Sequence, residues 1–112
     1  MYFCQRPILQ VRVTLMIQGL STSHSGLRFA QERLRSTAHN IANSTTMETA
    51  SLSTRGRVLP EGGVVTEVNL EACHHRVEQI VEMIAGSRHF AAGVRAVQVQ
   101  VGTLVATFDI EG

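Results

Sequence analysis

The chain has 112 residues and a formal net charge of +1, and it is 44% apolar but only 4% aromatic. A chain of this length forms one domain at most and lies near the lower limit for an independently stable core. The almost neutral charge gives no reason to expect nucleic acid or an anionic membrane as a partner. No apolar run reaches the roughly 18 residues of a transmembrane helix, and two cysteines cannot supply a disulfide framework.

Residues 1–15 lack the pattern of a secretory signal peptide, because two arginines and a proline interrupt the apolar core that such a peptide needs. The order Val11-Arg12-Val13 alternates like a short strand, but no adjacent segment completes a hairpin. We interpret residues 1–15 either as an extension of the domain or as the result of a start assigned upstream of Met16. A chain that begins at Met16 is expected to retain its function.

The first helical segment is assigned to residues 16–46, with a helix predicted from about Leu15 to Asn43. An apolar residue recurs at every seventh position of this stretch, which is typical of a helix that packs one face against another helix. The repeated residues are Leu20, Leu27, Leu34 and Ile41. The segment ends in Asn, Ser and Thr residues, whose side chains bond the neighbouring backbone and favour the end of a helix.

Residues 47–69 separate the two helical segments. The apolar stretches Arg57-Val58-Leu59 and Val64-Val65-Thr66-Glu67-Val68 flank the sequence Pro60-Glu61-Gly62-Gly63. This order predicts two short strands around a glycine-containing turn. An isolated two-stranded hairpin is only marginally stable in water. We therefore expect the hairpin to pack against a helix or against a neighbouring subunit.

The second helical segment is assigned to residues 70–112, with Asn69 as its predicted N-cap. The residues predicted to pack on the first helix are Ile80, Ile84, Ala91, Val94 and Val101. The apolar stripe is wider than one helix can cover, which indicates a further partner, and identical copies are the simplest choice. Gly86 and Gly93 lie one heptad apart and would let another backbone approach closely. Residues 96–101 alternate with a period of two, so local rules alone predict a strand there.

No set of residues predicts a catalytic, cofactor-binding or metal site. Cys73, His74 and His75 are adjacent, but a zinc site needs three or four ligands at recurring spacings, and neighbouring helical side chains point about 100° apart. A serine nucleophile such as Ser25 beside His24 is disfavoured, because neighbours on a helix do not orient the imidazole onto the hydroxyl. We expect no metal, no cofactor and no enzymatic activity.

Two motifs occur in the first helical segment, Ser25-Gly26-Leu27 and Asn40-Ile41-Ala42-Asn43. The surrounding residues of the same pattern are Leu20-Ser21, Ala30-Gln31, Leu34, Thr37-Ala38 and Thr46. This pattern resembles the N-terminal signature of the flagellar axial proteins, the rod and hook components of the bacterial flagellum. The segment Glu82–Ile110 is similar to the C-terminal helix of rod proteins, and this similarity implies that residues 96–101 continue as helix to about Phe108.

The resemblance implies a mainly α fold, in which long N- and C-terminal helices form an antiparallel pair joined by a short β-hairpin. The short middle segment makes the chain most similar to the small proximal-rod proteins, although Met47-Glu48-Thr49 replaces the continuation common in the family. The implied function is a structural subunit of the flagellar basal-body rod. Such a subunit is exported through the flagellar type III apparatus without a cleaved signal and lies in the periplasmic rod.

The partners that the resemblance implies are copies of the chain, other rod proteins and the export apparatus, with no nucleic acid and no insertion into a membrane. The helix seam would carry assembly into a helical tube through contacts that do not close into a ring. The alternative comes from a different class of protein. It is a small cytoplasmic adaptor or regulator whose helical hairpin binds a partner helix and forms a discrete dimer or heterodimer.

Overall fold

The fold consists of two long helices joined by a β-hairpin, and the computed structural model of the chain describes residues 5–45, 50–71 and 76–111. The elements are α1 (Gln5–Ala42), β1 (Ser51–Val58), β2 (Val64–Glu71) and α2 (Arg76–Glu111). β1 and β2 pair in antiparallel fashion. The predicted mainly α architecture, with a hairpin between two long helices, is confirmed.

Helix α1 begins ten residues earlier than predicted, at Gln5 rather than near Leu15. Pro7 looks like an interruption in the sequence, but it lies in the first helical turn, where its missing N–H removes no helical hydrogen bond. The short alternation at residues 11–13 is also helical, so the strand-like reading of this segment was wrong. The apolar residues of this region recur at three- and four-residue steps. This spacing is typical of a helix, as it is in the rest of α1.

The hairpin is longer than predicted, with eight residues in each strand. Its turn contains Gly62 and Gly63 at φ values of +96° and +100°, a backbone region that favours glycine. The N–H of Leu59 donates to the carbonyl oxygen of Gly63, and the carbonyl oxygen of Leu59 accepts from the N–H of Gly62. Strand β2 continues to Glu71, so Asn69 pairs with Ser53 in the sheet and is not the N-cap of α2. The ladder hydrogen bonds outweighed the local capping preference, and α2 starts at Arg76 instead.

Helix α2 runs through the alternating residues 96–101 and ends at Glu111. The helix implied by the resemblance is therefore present, and the strand favoured by local rules is not. A third strand at this position would need a partner along its length, whereas the helix packs beside α1, with Gly19 next to Gln100. Packing against a second helix here overrides the β preference of the valines.

The two helices are antiparallel and approach most closely at two glycines of α2. A Cβ atom placed on Gly86 would lie 3.2 Å from Leu34 Cδ2, and one placed on Gly93 would lie 2.9 Å from Leu27 Cδ2. Each leucine therefore occupies the space that a side chain on α2 would need. A side chain at Gly93 would require Leu27 or the helix backbone to shift, and one at Gly86 would require Leu34 to move by a few tenths of an ångström, so glycine favours this close approach.

The folded chain has very little apolar interior. Within the described residues, Ala30 is the one buried apolar residue, while the buried polar residues are Ser36, Thr37, Asn40, Ser51 and Gln79. The chain measures 71 × 24 × 14 Å, and its radius of gyration is 19.5 Å. A compact chain of this length has a radius of gyration of about 13 Å. Among the described helices, none is both long enough and apolar enough to cross a membrane.

Alanine substitutions at Gly102 and Gly93 are predicted to change stability in opposite directions. Apart from its own helix, nothing lies within 4 Å of a Cβ at Gly102, so Gly102→Ala should stabilise the chain through helix propensity by about 0.5–1 kcal/mol. At Gly93 the added Cβ meets Leu27, and we expect overpacking to exceed that gain by about 1 kcal/mol. Urea unfolding followed by circular dichroism measures both effects. Equal stabilisation by the two substitutions would show that the helices do not meet at Gly93.

Candidate functional site

The predicted seam on α1 lies where the helix meets its neighbours. Leu20, Leu27, Leu34 and Ile41 are all half-buried. Leu27 and Leu34 contact α2 through Gly93 and Gly86. The seven-residue spacing of the leucines therefore locates the face of α1 that packs on the second helix.

The seam residues predicted on α2 occupy different positions. Ile80, Ile84, Ala91 and Val101 are exposed, and Val94 is half-buried. The line of α2 that faces α1 is instead Gln79, Gly86, Gly93 and Gln100, again at seven-residue steps. Leu27 and Leu34 were expected to face apolar positions such as Ile84, Ala91 or Val94; Ile84 and Ala91 are exposed, whereas Val94 is half-buried next to Gly93. Apolar periodicity identifies the apolar side chains of a helix. The line along which two helices pack most closely depends instead on where small residues let the two backbones approach each other.

Asn40 joins three elements of the fold at one buried point. Its Nδ2 donates to the carbonyl oxygen of Leu52 at 2.8 Å, and its Oδ1 accepts from the N–H of Leu52 at 2.7 Å. Asn40 Nδ2 also lies 3.2 Å from Gln79 Oε1, which accepts a further hydrogen bond. The amide thus satisfies both backbone groups of a β1 residue and reaches α2 at the same time. We call this set of contacts the Asn40 junction.

Further hydrogen bonds join the hairpin to α1 along its length. Thr54 Oγ1 donates to Ser36 Oγ at 2.7 Å, in the middle of β1. Near the turn, the N–H of Val64 donates to Ser25 Oγ at 3.0 Å. Between these bonds, Phe29 packs on the backbone of Gly56, where a Cβ would lie 2.9 Å from Phe29 Cε2. The hairpin therefore gains from α1 the support that an isolated hairpin lacks.

The two motifs that carry the family resemblance lie at these contacts. In the first, Ser25 holds the start of β2 and Leu27 packs on α2, whereas Gly26 has no other element within 4 Å of a Cβ position. In the second, Asn40 forms the junction and Asn43 Nδ2 donates to the carbonyl oxygen of His39 at 2.9 Å. Of the two residues between them, Ile41 is half-buried and Ala42 is exposed. Both asparagines make the side-chain-to-backbone bonds typical of a helix end.

Sequence reasoning did not find several contacts that matter for the geometry. Gln79 is 6% exposed, although glutamine is usually a surface residue. Arg33 Nη2 pairs with Glu82 Oε1 across the two helices, and both side chains are partly exposed. A pair of this kind contributes about 1 kcal/mol or less. The arginine–glutamate pair was not detectable from spacing, because it joins residues 49 positions apart.

A shallow groove of about 490 Å³ runs between α1 and β2. Its lining residues are Ser21, His24, Ser25, Arg28, Glu32, Val64, Thr66 and Val68. Ser25 Oγ donates to the carbonyl oxygen of Thr22 at 2.7 Å and accepts from Val64, so the hydroxyl is engaged with the backbone rather than with His24. The backbone contacts of Ser25 therefore do not support the arrangement of a serine nucleophile activated by His24.

The metal hypothesis concerned residues that lie outside the described part of the chain, namely Cys73, His74 and His75. Across residues 5–45, 50–71 and 76–111, no group of three or more His, Cys, Asp or Glu side chains could hold a metal ion. His89, the one histidine of α2 within the described residues, is exposed. The expectation that no metal binds remains a prediction.

A large apolar surface is the dominant feature of the described chain. The exposed large apolar residues are Ile8, Val11, Leu15, Ile17, Val58, Val68, Leu70, Val77, Ile80, Val81, Met83, Ile84, Val99, Val101, Val105, Phe108 and Ile110. They include most of the valines and isoleucines of α2, on the sides that α1 leaves uncovered. The total accessible surface is 8771 Å². A compact monomer of 12.2 kDa has about 6,100 Å².

Removal of the Asn40 amide is predicted to destabilise the chain far more than removal of a neighbouring amide. Asn40→Ala leaves both backbone groups of Leu52 and the amide oxygen of Gln79 without their partner, at a cost of about 2–4 kcal/mol. The matched control is Asn43→Ala, which loses a bond to the last turn of α1 and should cost about 1 kcal/mol or less. Urea unfolding monitored by circular dichroism compares the two, and equal losses would mean that the Asn40 junction does not hold the elements together.

No family model matches the chain, and no curated protein matches it.

Proposed function

We propose that the chain is a structural subunit of the flagellar basal-body rod, which assembles through its long helices with copies of itself and with other rod proteins. The observation that carries this proposal is the apolar surface. Ile84 on α2 and Phe108 near its end are more than half exposed, whereas the one buried apolar residue in the described chain is Ala30. A surface of this kind is covered in the working state of a protein, because contiguous exposed apolar area drives association.

The amount of uncovered surface favours an open assembly over a single pair. The chain exposes 8771 Å², which is about 2,700 Å² more than a compact monomer of its mass. A standard interface buries about 800 Å² on each partner. The excess counts polar as well as apolar area and follows in part from the elongated shape, but exposed large apolar residues lie on α1, on both strands and on α2, which leaves room for more than one patch on each subunit. A closed dimer uses one patch, whereas a helical tube needs several heterologous contacts on every subunit.

The family resemblance supports a particular assembly, the flagellar rod, and a particular location, the periplasm. The motifs Ser25-Gly26-Leu27 and Asn40-Ile41-Ala42-Asn43 support a member of the flagellar axial proteins, with the periplasmic rod as its location and the flagellar export apparatus as its route. The role of the chain is mechanical, and no enzymatic step is part of the proposal. The elongated shape, 71 Å in its longest dimension, suits a subunit that lies in the wall of a tube.

The alternative function is an adaptor or regulator that binds one partner helix. It needs one apolar patch and predicts a discrete dimer or heterodimer of fixed mass. Sedimentation velocity over a range of concentrations separates the two functions. The rod proposal predicts species that grow with concentration and elongated particles in electron micrographs, whereas a single dimer species at every concentration would favour the adaptor.

We predict that a polar substitution on the exposed face of α2 prevents assembly without unfolding the chain. Ile84 is 52% exposed, so Ile84→Ser removes apolar contact area between subunits while leaving the contact of α1 with Gly86 and Gly93 intact. The matched control is Leu70→Ser on the hairpin, where Leu70 is 71% exposed. Sedimentation velocity should show smaller species for Ile84→Ser than for the control, at unchanged helix content. If both variants assemble to the same extent, the exposed face of α2 at Ile84 is not part of the assembly surface.

In a bacterium that depends on this chain for motility, seam variants should fail in swimming assays. Leu34→Ala removes the side chain that covers Gly86 and should cost about 2 kcal/mol, and Asn40→Ala removes the junction. Arg35→Ala, on the exposed side of α1, is the control. If both seam variants are expressed and leave swimming and rod assembly intact, the rod proposal is wrong.

A further inference from the structure

The hairpin lies diagonally across α1, which leaves opposite ends of its two edges uncovered. Leu52 directs its N–H and its carbonyl oxygen away from β2 and toward Asn40, so α1 covers the outer edge of β1 at the open end of the hairpin. Near the turn, the N–H of Val64 points outward to Ser25 Oγ, so α1 covers the outer edge of β2 there. The uncovered parts are therefore the turn end of β1 and the open end of β2.

The exposure of the strands follows the same diagonal. In β1 the exposed residues are Arg55–Val58, and in β2 they are Glu67–Leu70. The other residues of both strands are buried or half-buried. We call the two exposed ranges the β1 free end and the β2 free end.

Each free end presents backbone groups that can pair with a further strand. Backbone groups of an antiparallel strand point alternately toward its partner and away from it. Gly56 lies four residues after the outward-pointing Leu52, and Val68 lies four residues after Val64, so Gly56 and Val68 also point outward. Within the part of the chain that the structure describes, neither backbone bonds an element outside the hairpin. An edge of this kind is a template for strand addition.

The two free ends carry opposite charges. Arg57 in β1 and Glu67 in β2 are exposed, and neither takes part in the ion pairs of the described residues. Glu67 lies opposite Arg55 in the hairpin, two residues from Arg57, so both side chains project from the same face of the sheet. This is the face turned away from α1, because the intervening Gly56 lies against Phe29.

One antiparallel register between two copies joins the free ends and pairs these charges. When Val68 of one copy lies opposite Gly56 of a second copy, Glu67 lies opposite Arg57 of that second copy. Opposite charges that face each other across antiparallel strands stabilise the pairing, whereas like charges destabilise it.

Other pairings of the edges fit the charges less well. A shift by two residues would place Glu67 opposite Leu59, or opposite Arg55, which is already paired with Glu71 in its own chain. Pairing of two equivalent free ends would bring the acidic residues of β2 together, or the arginines of β1 together. The charges therefore favour contact between different ends of the two copies.

We propose that the β2 free end of one copy adds as a strand to the β1 free end of the next copy, in the register that places Glu67 opposite Arg57. The inference rests on the proposed function, since it names a contact through which copies of the chain join. Because the two free ends are different surfaces, each copy offers one of each to its neighbours. A contact of this heterologous kind continues from copy to copy.

The test is a disulfide between two variants of the full chain, both carrying Cys4→Ser and Cys73→Ser. One variant has Glu67→Cys and the other has Arg57→Cys. Facing residues of a non-hydrogen-bonded pair have Cα atoms about 4.5 Å apart, which lies within the range that a disulfide spans. Mild oxidation followed by non-reducing gel electrophoresis should give far more linked dimer in the mixture than in either variant alone.

The matched control replaces Arg57→Cys with Arg55→Cys, on the same face of the same strand. It should link less to Glu67→Cys, because it lies one facing pair further along. Equal linkage in the mixture and in each variant alone, or stronger linkage at the control position, overturns the inference.

Charge variants provide a second measurement that needs no cysteine. Glu67→Lys and Arg57→Glu each place like charges across the contact, and each should weaken association about two- to fivefold in sedimentation velocity. An equimolar mixture of the two should recover the wild-type association, because each chain then meets the opposite charge on the other. Circular dichroism confirms that both variants are folded, and a mixture that associates as weakly as its components contradicts the contact.

The outcomes separate this contact from the proposed function. Absence of linkage in a chain that still forms species growing with concentration overturns the strand contact and leaves the rod proposal standing. Linkage specific to the mixture, in a chain that builds no rod, supports the contact and counts against the rod.

Discussion

The fold depends on one side-chain amide. Asn40 supplies a donor and an acceptor to the same backbone residue, Leu52, and thereby acts as a short substitute for a neighbouring strand. Because the amide also reaches Gln79, the end of α1, the start of β1 and the first turns of α2 meet at a single buried point. Because Ala30 is the one buried apolar residue among those that the structure describes, a satisfied polar group of this kind fixes the relative position of elements that hydrophobic contact alone would leave adjustable.

The contact between the helices follows a second constraint, which is the absence of side chains on one line of α2. Gly86 and Gly93 remove the atoms that would keep the helices apart, and the leucines of α1 fill the space. Most of the large apolar residues of α2 are consequently left exposed. The same arrangement thus makes a close helix pair and leaves an apolar surface uncovered. The proposed rod function rests on this division between the two sides of α2.

Much of the architecture could be predicted from the sequence, but the faces of α2 could not. The seven-residue leucine repeat predicted the first helix, and the Gly62-Gly63 turn predicted the hairpin, because both are local sequence signals. The predicted packing face of α2 was misplaced at Ile84 and Ala91. Apolar periodicity indicates which side chains are apolar, but it does not indicate where the backbones of two helices can approach closely. The buried position of Gln79 had no local signal at all. It arises because a residue 39 positions earlier, Asn40, supplies its partner.

The hairpin accompanies only part of the helix pair, and this gives the chain two different cross-sections. Its turn lies beside Thr22 and its open end lies at Asn40, so that part of α1 is supported by α2 and by two strands. From Gln5 to Ser21, over about 25 Å, the helices continue without the hairpin beside them. A rod of uneven thickness bends where it is thinnest. In the proposed rod, torque or axial load on a subunit would therefore deform this slender end more than the thicker end.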